Sequence, residues 1–93
     1  MKLSGKIITK EPIRSFTIKG EERKVLTAVI EEITSDRIRQ QAAVEYWDKW
    51  ADEFTYEVGQ IIVTNCSINM ECREHEGVKY YSNKIRGWGA RLV

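Results

Sequence analysis

The feature that most constrains this chain is a pair of long alternating segments joined at Glu76-Gly77. After Gly59, the residues Ile62, Cys66, Ile68, Met70 and Cys72 share one parity, and Asn65, Ser67, Asn69, Glu71 and Arg73 share the other. That is the two-residue period of a strand with one buried and one polar face. A loop is expected from Glu74 to Val78 around Gly77, after which Lys79 to Val93 returns as a second long arm. Its inward parity holds Tyr81 and Ile85, and its outward parity holds Tyr80, Lys84, Arg86 and Trp88. Gly87 and Gly89 flank Trp88, so a bulge there would exchange the two faces from Trp88 onward.

The rest of the chain supplies the strands such a hairpin needs. Leu3 to Thr9 alternates, and Gly5 within it marks a bulge or tight bend of the kind a strand shared by two sheets requires. Glu11-Pro12 ends that run, and Ile13 to Glu22 reads as a first loop with some extended pairing. Arg23 to Ile33 is β-branched and aliphatic with Leu26, Ala28 and Ile30 on one face, and Thr34-Ser35-Asp36 makes a turn. In Arg37 to Trp47 the even positions Ala42, Val44 and Tyr46 look inward, which leaves Arg39, Gln41, Glu45 and Trp47 outward. Asp48 fits the N-cap of a short helix whose Trp50, Ala51 and Phe54 recur at helical spacing, a core plug rather than a ligand site.

A strand ending in an aromatic, a short helix, the Val58-Gly59 turn and a long hairpin read as the last three strands of a small OB barrel. The expected fold is therefore all-β, a five-stranded OB-fold barrel with one short helix between strands 3 and 4. Its core would hold Leu3, Ile7, Leu26, Ile30, Val44, Ile62, Ile68, Tyr81 and Ile85. With 93 residues, the chain fits one domain, residues 1–93, and its three Trp, four Tyr and two Phe provide the bulk a small core needs.

Fifteen basic against fourteen acidic residues leave a net charge of +1, so no global field draws the protein to polyanions, and any such binding depends on local placement. No apolar run approaches the roughly 18 residues of a membrane span. Met1-Lys2-Leu3 leads straight into a strand pattern without a signal-peptide core, and a cytoplasmic location without membrane attachment is expected. Cys66 and Cys72 lie six residues apart in one extended segment, about 20 Å at strand rise, too far for a disulfide. Cys72 and His75 have the spacing of half a metal site but no second pair completes it, so neither metal nor cofactor is expected. His75 is the one imidazole, and adjacent carboxylates such as Glu31-Glu32 point apart on a strand, so enzymatic chemistry is not expected either.

The segments Leu3-Ser4-Gly5-Lys6-Ile7-Ile8, Val44-Glu45-Tyr46-Trp47-Asp48-Lys49, Val58-Gly59, Arg73-Glu74 to Gly77, Tyr80-Tyr81-Ser82 and Ile85-Arg86-Gly87-Trp88 resemble small stand-alone bacterial OB-fold domains similar to single-stranded-DNA-binding protein. The likeness covers nearly the whole chain and rests on the order of several weak motifs. It implies that Trp47, the aromatic before the helix, and Tyr80, in the last hairpin, stack on bases. The family's aromatic early in the third strand would fall near Gln41, so one stacking platform is missing here. The acidic, Phe-terminated tail by which those proteins recruit partners has no counterpart before Val93, and hub behaviour is not expected.

Single-strand binding needs π-faces for bases and cations for phosphates. Trp47, Tyr80 and Trp88 are the candidate π-faces, and Lys24, Arg39, Arg73, Lys84 and Arg86 the candidate cations. The expected partner is single-stranded DNA or RNA, bound by a homodimer or homotetramer. The competing reading is a protein-interaction or primosome-like scaffold domain, because Trp, Tyr and Arg serve a subunit interface equally well and Glu45 and Glu71 intrude on the same face.

Overall fold

The computed structural model describes residues 1–33 and 40–93. Its six strands are β1 (Lys2–Lys10), β2 (Arg14–Ile18), β3 (Glu21–Glu31), β4 (Gln41–Trp47), β5 (Ile61–His75) and β6 (Val78–Leu92), with one helix, α1 (Lys49–Glu53), between β4 and β5. The chain is thus all-β with one short helix, but the count of strands and the place of the helix differ from expectation. The segment read as a first loop forms β2, which pairs with β3 across a two-residue turn at Lys19-Gly20. Both turn residues have positive φ, 50° and 79°, the geometry that matches strand twist in a tight hairpin. The helix therefore follows the fourth strand, not the third.

The hydrogen-bonded order β1-β5-β6-β4-β3-β2, with β1 also paired to β3, closes five strands into a ring and leaves β2 outside it. Every pairing is antiparallel except β4 with β6, which touch in parallel through only Val44↔Ile85 and Glu45↔Arg86. β1 closes the ring by serving two neighbours: Lys2 to Lys6 lie against β5, and Lys6 to Lys10 against β3, with a register shift between Ile7 and Thr9. Gly5 is where this crossing is tightest, since a Cβ there would lie 2.3 Å from the Glu31 carbonyl oxygen. No larger residue fits.

Inside the ring, Ile7, Leu26, Ala28, Ile30, Val44, Tyr46 and Ile62 pack with Ala51 and Phe54 from the helical segment. Leu3 and Ile85 pack against this core half-buried. The Tyr46 hydroxyl donates to Thr64 Oγ1 at 2.9 Å, which satisfies two polar groups that would otherwise be costly to bury. Gly87 faces this ring: a Cβ added there would come within 2.5 Å of Tyr46 Cε1.

Two expected core residues lie outside it. Ile68 and Tyr81 are 56 % and 64 % exposed, Met70 is 68 % exposed, and Cys72, on the parity expected to be buried, is exposed too. The reason is topological. The β1 pairing ends at Asn65 and the β4 pairing at Ile85, so beyond these points β5 and β6 pair, among the described residues, only with each other. The hairpin runs on to a two-residue turn at Glu76-Gly77, with φ of 51° and 77°, where a five-residue loop was expected.

Candidate functional site

β4 carries the even residues Val44 and Tyr46 into the core, so Trp47, one position on, stands on the outer surface at the strand's end. There the guanidinium carbons of Arg23 and Arg86 lie 5.2 and 5.0 Å from the centre of its ring, and Phe16 of β2 meets it edge-on at 5.5 Å. Trp47 is therefore half-buried, and its enclosed indole Nε1 has no hydrogen-bond partner among the described residues. A base reaching this ring must move a guanidinium or stack beside it.

Arg23 owes its position to Asp48. Its Nε donates to Asp48 Oδ2 at 2.8 Å, while the Lys24 backbone N–H donates to Oδ1 at 3.2 Å and the Asp48 N–H returns a bond to the Lys24 carbonyl at 2.9 Å. These bonds, the guanidinium first, hold the Asp48 carboxyl below its ordinary range and raise Arg23. They also hold Asp48 at φ 51° and ψ −118°, a positive-φ conformation outside the left-handed helical well that costs a non-glycine residue about 1 to 3 kcal/mol. Asp48 was expected to cap the helix. Its side chain makes no cap bond because it is spent on β3 instead.

An open cleft of about 350 Å³ lies beside Trp47, lined by Trp50, Trp88, Arg86, Ser67 and Asn69. All three tryptophans of the chain thus converge on it. Trp88 stays on the outward face with Arg86 because the β5–β6 register shift comes after it, at Gly89, which alone is unpaired between Trp88↔Asn65 and Ala90↔Thr64. It is 39 % exposed and offers an open π-face, as does Tyr80, 56 % exposed farther out on the same strand. Trp50, expected as a plug, packs partly on the core and partly on this cleft, with Lys49 Nζ 4.4 Å from its ring centre.

The expected cations meet the cleft unequally. Arg86 lines it. Arg73 and Lys84 stand farther along the hairpin, both close to Glu71, at 3.9 and 3.8 Å. Lys24 is turned toward the helix, where its Nζ contacts Asp52 at 3.0 Å, and its neighbour Arg23 is the β3 cation that reaches Trp47. Arg39 lies outside the described residues. Sequence reasoning missed Trp50, Arg23 and Phe16; strand parity separates Arg23 from Lys24, but it also required knowing that β2 exists.

Chemically the cleft combines indole faces, one guanidinium and two neutral polar side chains, a set suited to planar, anionic ligands. Among the described residues no three His, Cys, Asp or Glu side chains gather to hold a metal, and no helix is long and apolar enough to cross a membrane. The sequence matches no protein-family model and no curated protein.

Proposed function

We propose that this chain is an OB-fold protein that binds single-stranded nucleic acid, DNA in the first place, along the outer face of β4, β6 and β5. The fold reading is supported by the ring. Set β2 aside, renumber the other five strands in chain order, and their neighbours run 1-2-3-5-4-1, with a parallel contact between the third and fifth. That is a closed Greek-key order, and the face around the second and third strands of such barrels takes oligonucleotides.

The observation that carries the functional reading is the gathering of Trp47, Trp50 and Trp88 around one cleft with Arg86, and exposed Tyr80 beyond. Separate segments contribute these residues, and core packing requires none of them to meet outside the ring. Stacking on such faces is worth about 1 to 3 kcal/mol per base, enough to bind a strand without a strongly positive protein.

A second reading, a protein-interaction or scaffold domain, is favoured by the pairing of Arg23, Lys24, Arg73 and Lys84 with nearby carboxylates and by exposed Ile68, Met70 and Tyr81. Self-association as a homodimer or homotetramer is compatible with either. Titrating tryptophan fluorescence with oligo-dT at low and high salt separates the two. Binding should quench the emission, and Trp88→Ala should weaken it by about 1 to 3 kcal/mol without lowering the melting temperature. An affinity unchanged in that variant removes Trp88 from the interface, and no quenching at any salt leaves the scaffold reading.

A further inference from the structure

A second cleft, of about 300 Å³, opens on the far side of Trp88, where Lys2, Asn65, Gly89 and Arg91 line it together with Val63 and Thr64. It exists because of the register shift between β5 and β6. The extra residue there, Gly89 at φ 59°, bends β6 away, and the Asn65 side chain donates to its carbonyl at 3.3 Å. Lys2 reaches the same place from β1, where it is the register partner of Asn65. Arg91 arrives from β6 opposite Val63.

Its electrostatics differ from those of the tryptophan cleft's surroundings. Among the described residues two exposed cations and no carboxylate line it, and neither Lys2 nor Arg91 takes part in an ion pair. The two clefts are also adjacent. Asn65 lines one and Ser67 the other, two residues apart on β5, which is about 6.6 Å at strand rise. Asn65 is moreover the direct partner of Trp88. Unpaired cations one strand step from an open indole are placed for the backbone of whatever stacks there.

We propose that this cleft is a phosphate seat, in which Lys2 and Arg91 hold the backbone of a single strand whose next base lies on Trp88. The seat rests on the single-strand reading above and extends the bound path along β5 and β6 toward the base of the hairpin. The amide of Asn65 orients the seat through Gly89 rather than carrying charge itself.

The test is a salt series of oligo-dT titrations on the whole chain. It compares the parent protein, the double variant Lys2→Ala/Arg91→Ala, and Lys6→Ala, which removes one positive charge four residues along β1 and outside the cleft. Each seated phosphate contributes about 0.7 to the slope of log affinity against log salt, so the double variant should flatten it by about 1.4 and Lys6→Ala should leave it alone. The quenching amplitude at saturation should persist, because the indoles are untouched. A parental slope in the double variant overturns the seat alone, as does flattening of about 0.7 by Lys6→Ala, which would mean a diffuse field. No quenching of the parent protein removes the single-strand reading and the seat with it.

Discussion

The two halves of the β5–β6 hairpin have the same alternating sequence and opposite fates. Near the ring, Ile62, Thr64 and Cys66 are fully buried. A few residues on, Ile68, Met70 and Cys72 continue the parity and stand in solvent. Nothing in the strand itself changes between them. What changes is the neighbour: β1 flanks the first stretch, and among the described residues the second has no third strand beside it. Alternation reports which side of a strand is apolar, while burial requires another element to lie there.

The sharpest way to break this comparison is to truncate one isoleucine from each half. Ile62→Ala should cost about 2 to 5 kcal/mol, the lost transfer energy plus a cavity that the closed ring cannot collapse. Ile68→Ala should stay within about 0.5 kcal/mol. Urea unfolding of the two variants measures both, and equal losses would mean that the hairpin face is covered in solution.

Alkaline pH probes the buried half alone. Burial is the main cause that pushes the Tyr46 phenol up to about 12 and raises the Cys66 thiol, whereas an unfolded chain releases these protons near pH 10 and 8.5. The native state then binds more protons, so stability is full below about pH 8.5 and falls as pH climbs toward 12. Two units at Tyr46 correspond to about 2 to 3 kcal/mol. Denaturation midpoints at pH 8, 10 and 11.5 should fall accordingly, and Tyr46→Phe should make the decline above pH 10 shallower.

The smallest effect belongs to the projecting half and has the opposite sign. Glu71 sits between Arg73 and Lys84 as a phosphate would, so Glu71→Gln should free both cations and tighten oligo-dT binding, with a gain of about 1 kcal/mol or less at this half-exposed position. Weaker binding would show that Glu71 orders those cations instead of competing for them.

The same contrast explains what the sequence disclosed. The outward face of β4 and the polar face of β5 follow from parity, and Trp47, Arg86 and Trp88 fell where parity put them. Ile68 and Tyr81 did not, because pairing partners remote in sequence decide where the ring ends. β2 was obscured by its turn: Lys19-Gly20 needs a positive φ at Lys, a weaker hairpin signal than Asn-Gly. Trp50 at helical spacing beside Phe54 reads as core, yet in a helix of only five residues it reaches both the core and the cleft. Asp48 misled for a different reason, since its carboxylate serves Arg23 across the sheet.

The parallel contact of β4 with β6 is the shortest seam in the ring, two register pairs long, and the tryptophan cleft spans it, with Trp47 on one lip and Arg86 and Trp88 on the other. A strand laid in that cleft would act as a clasp, coupling occupancy to ring closure: opening of the seam would shed ligand, and bound ligand would oppose the opening. Backbone amides of Val44, Glu45, Ile85 and Arg86 would then be the places where deuterium uptake registers an arriving strand.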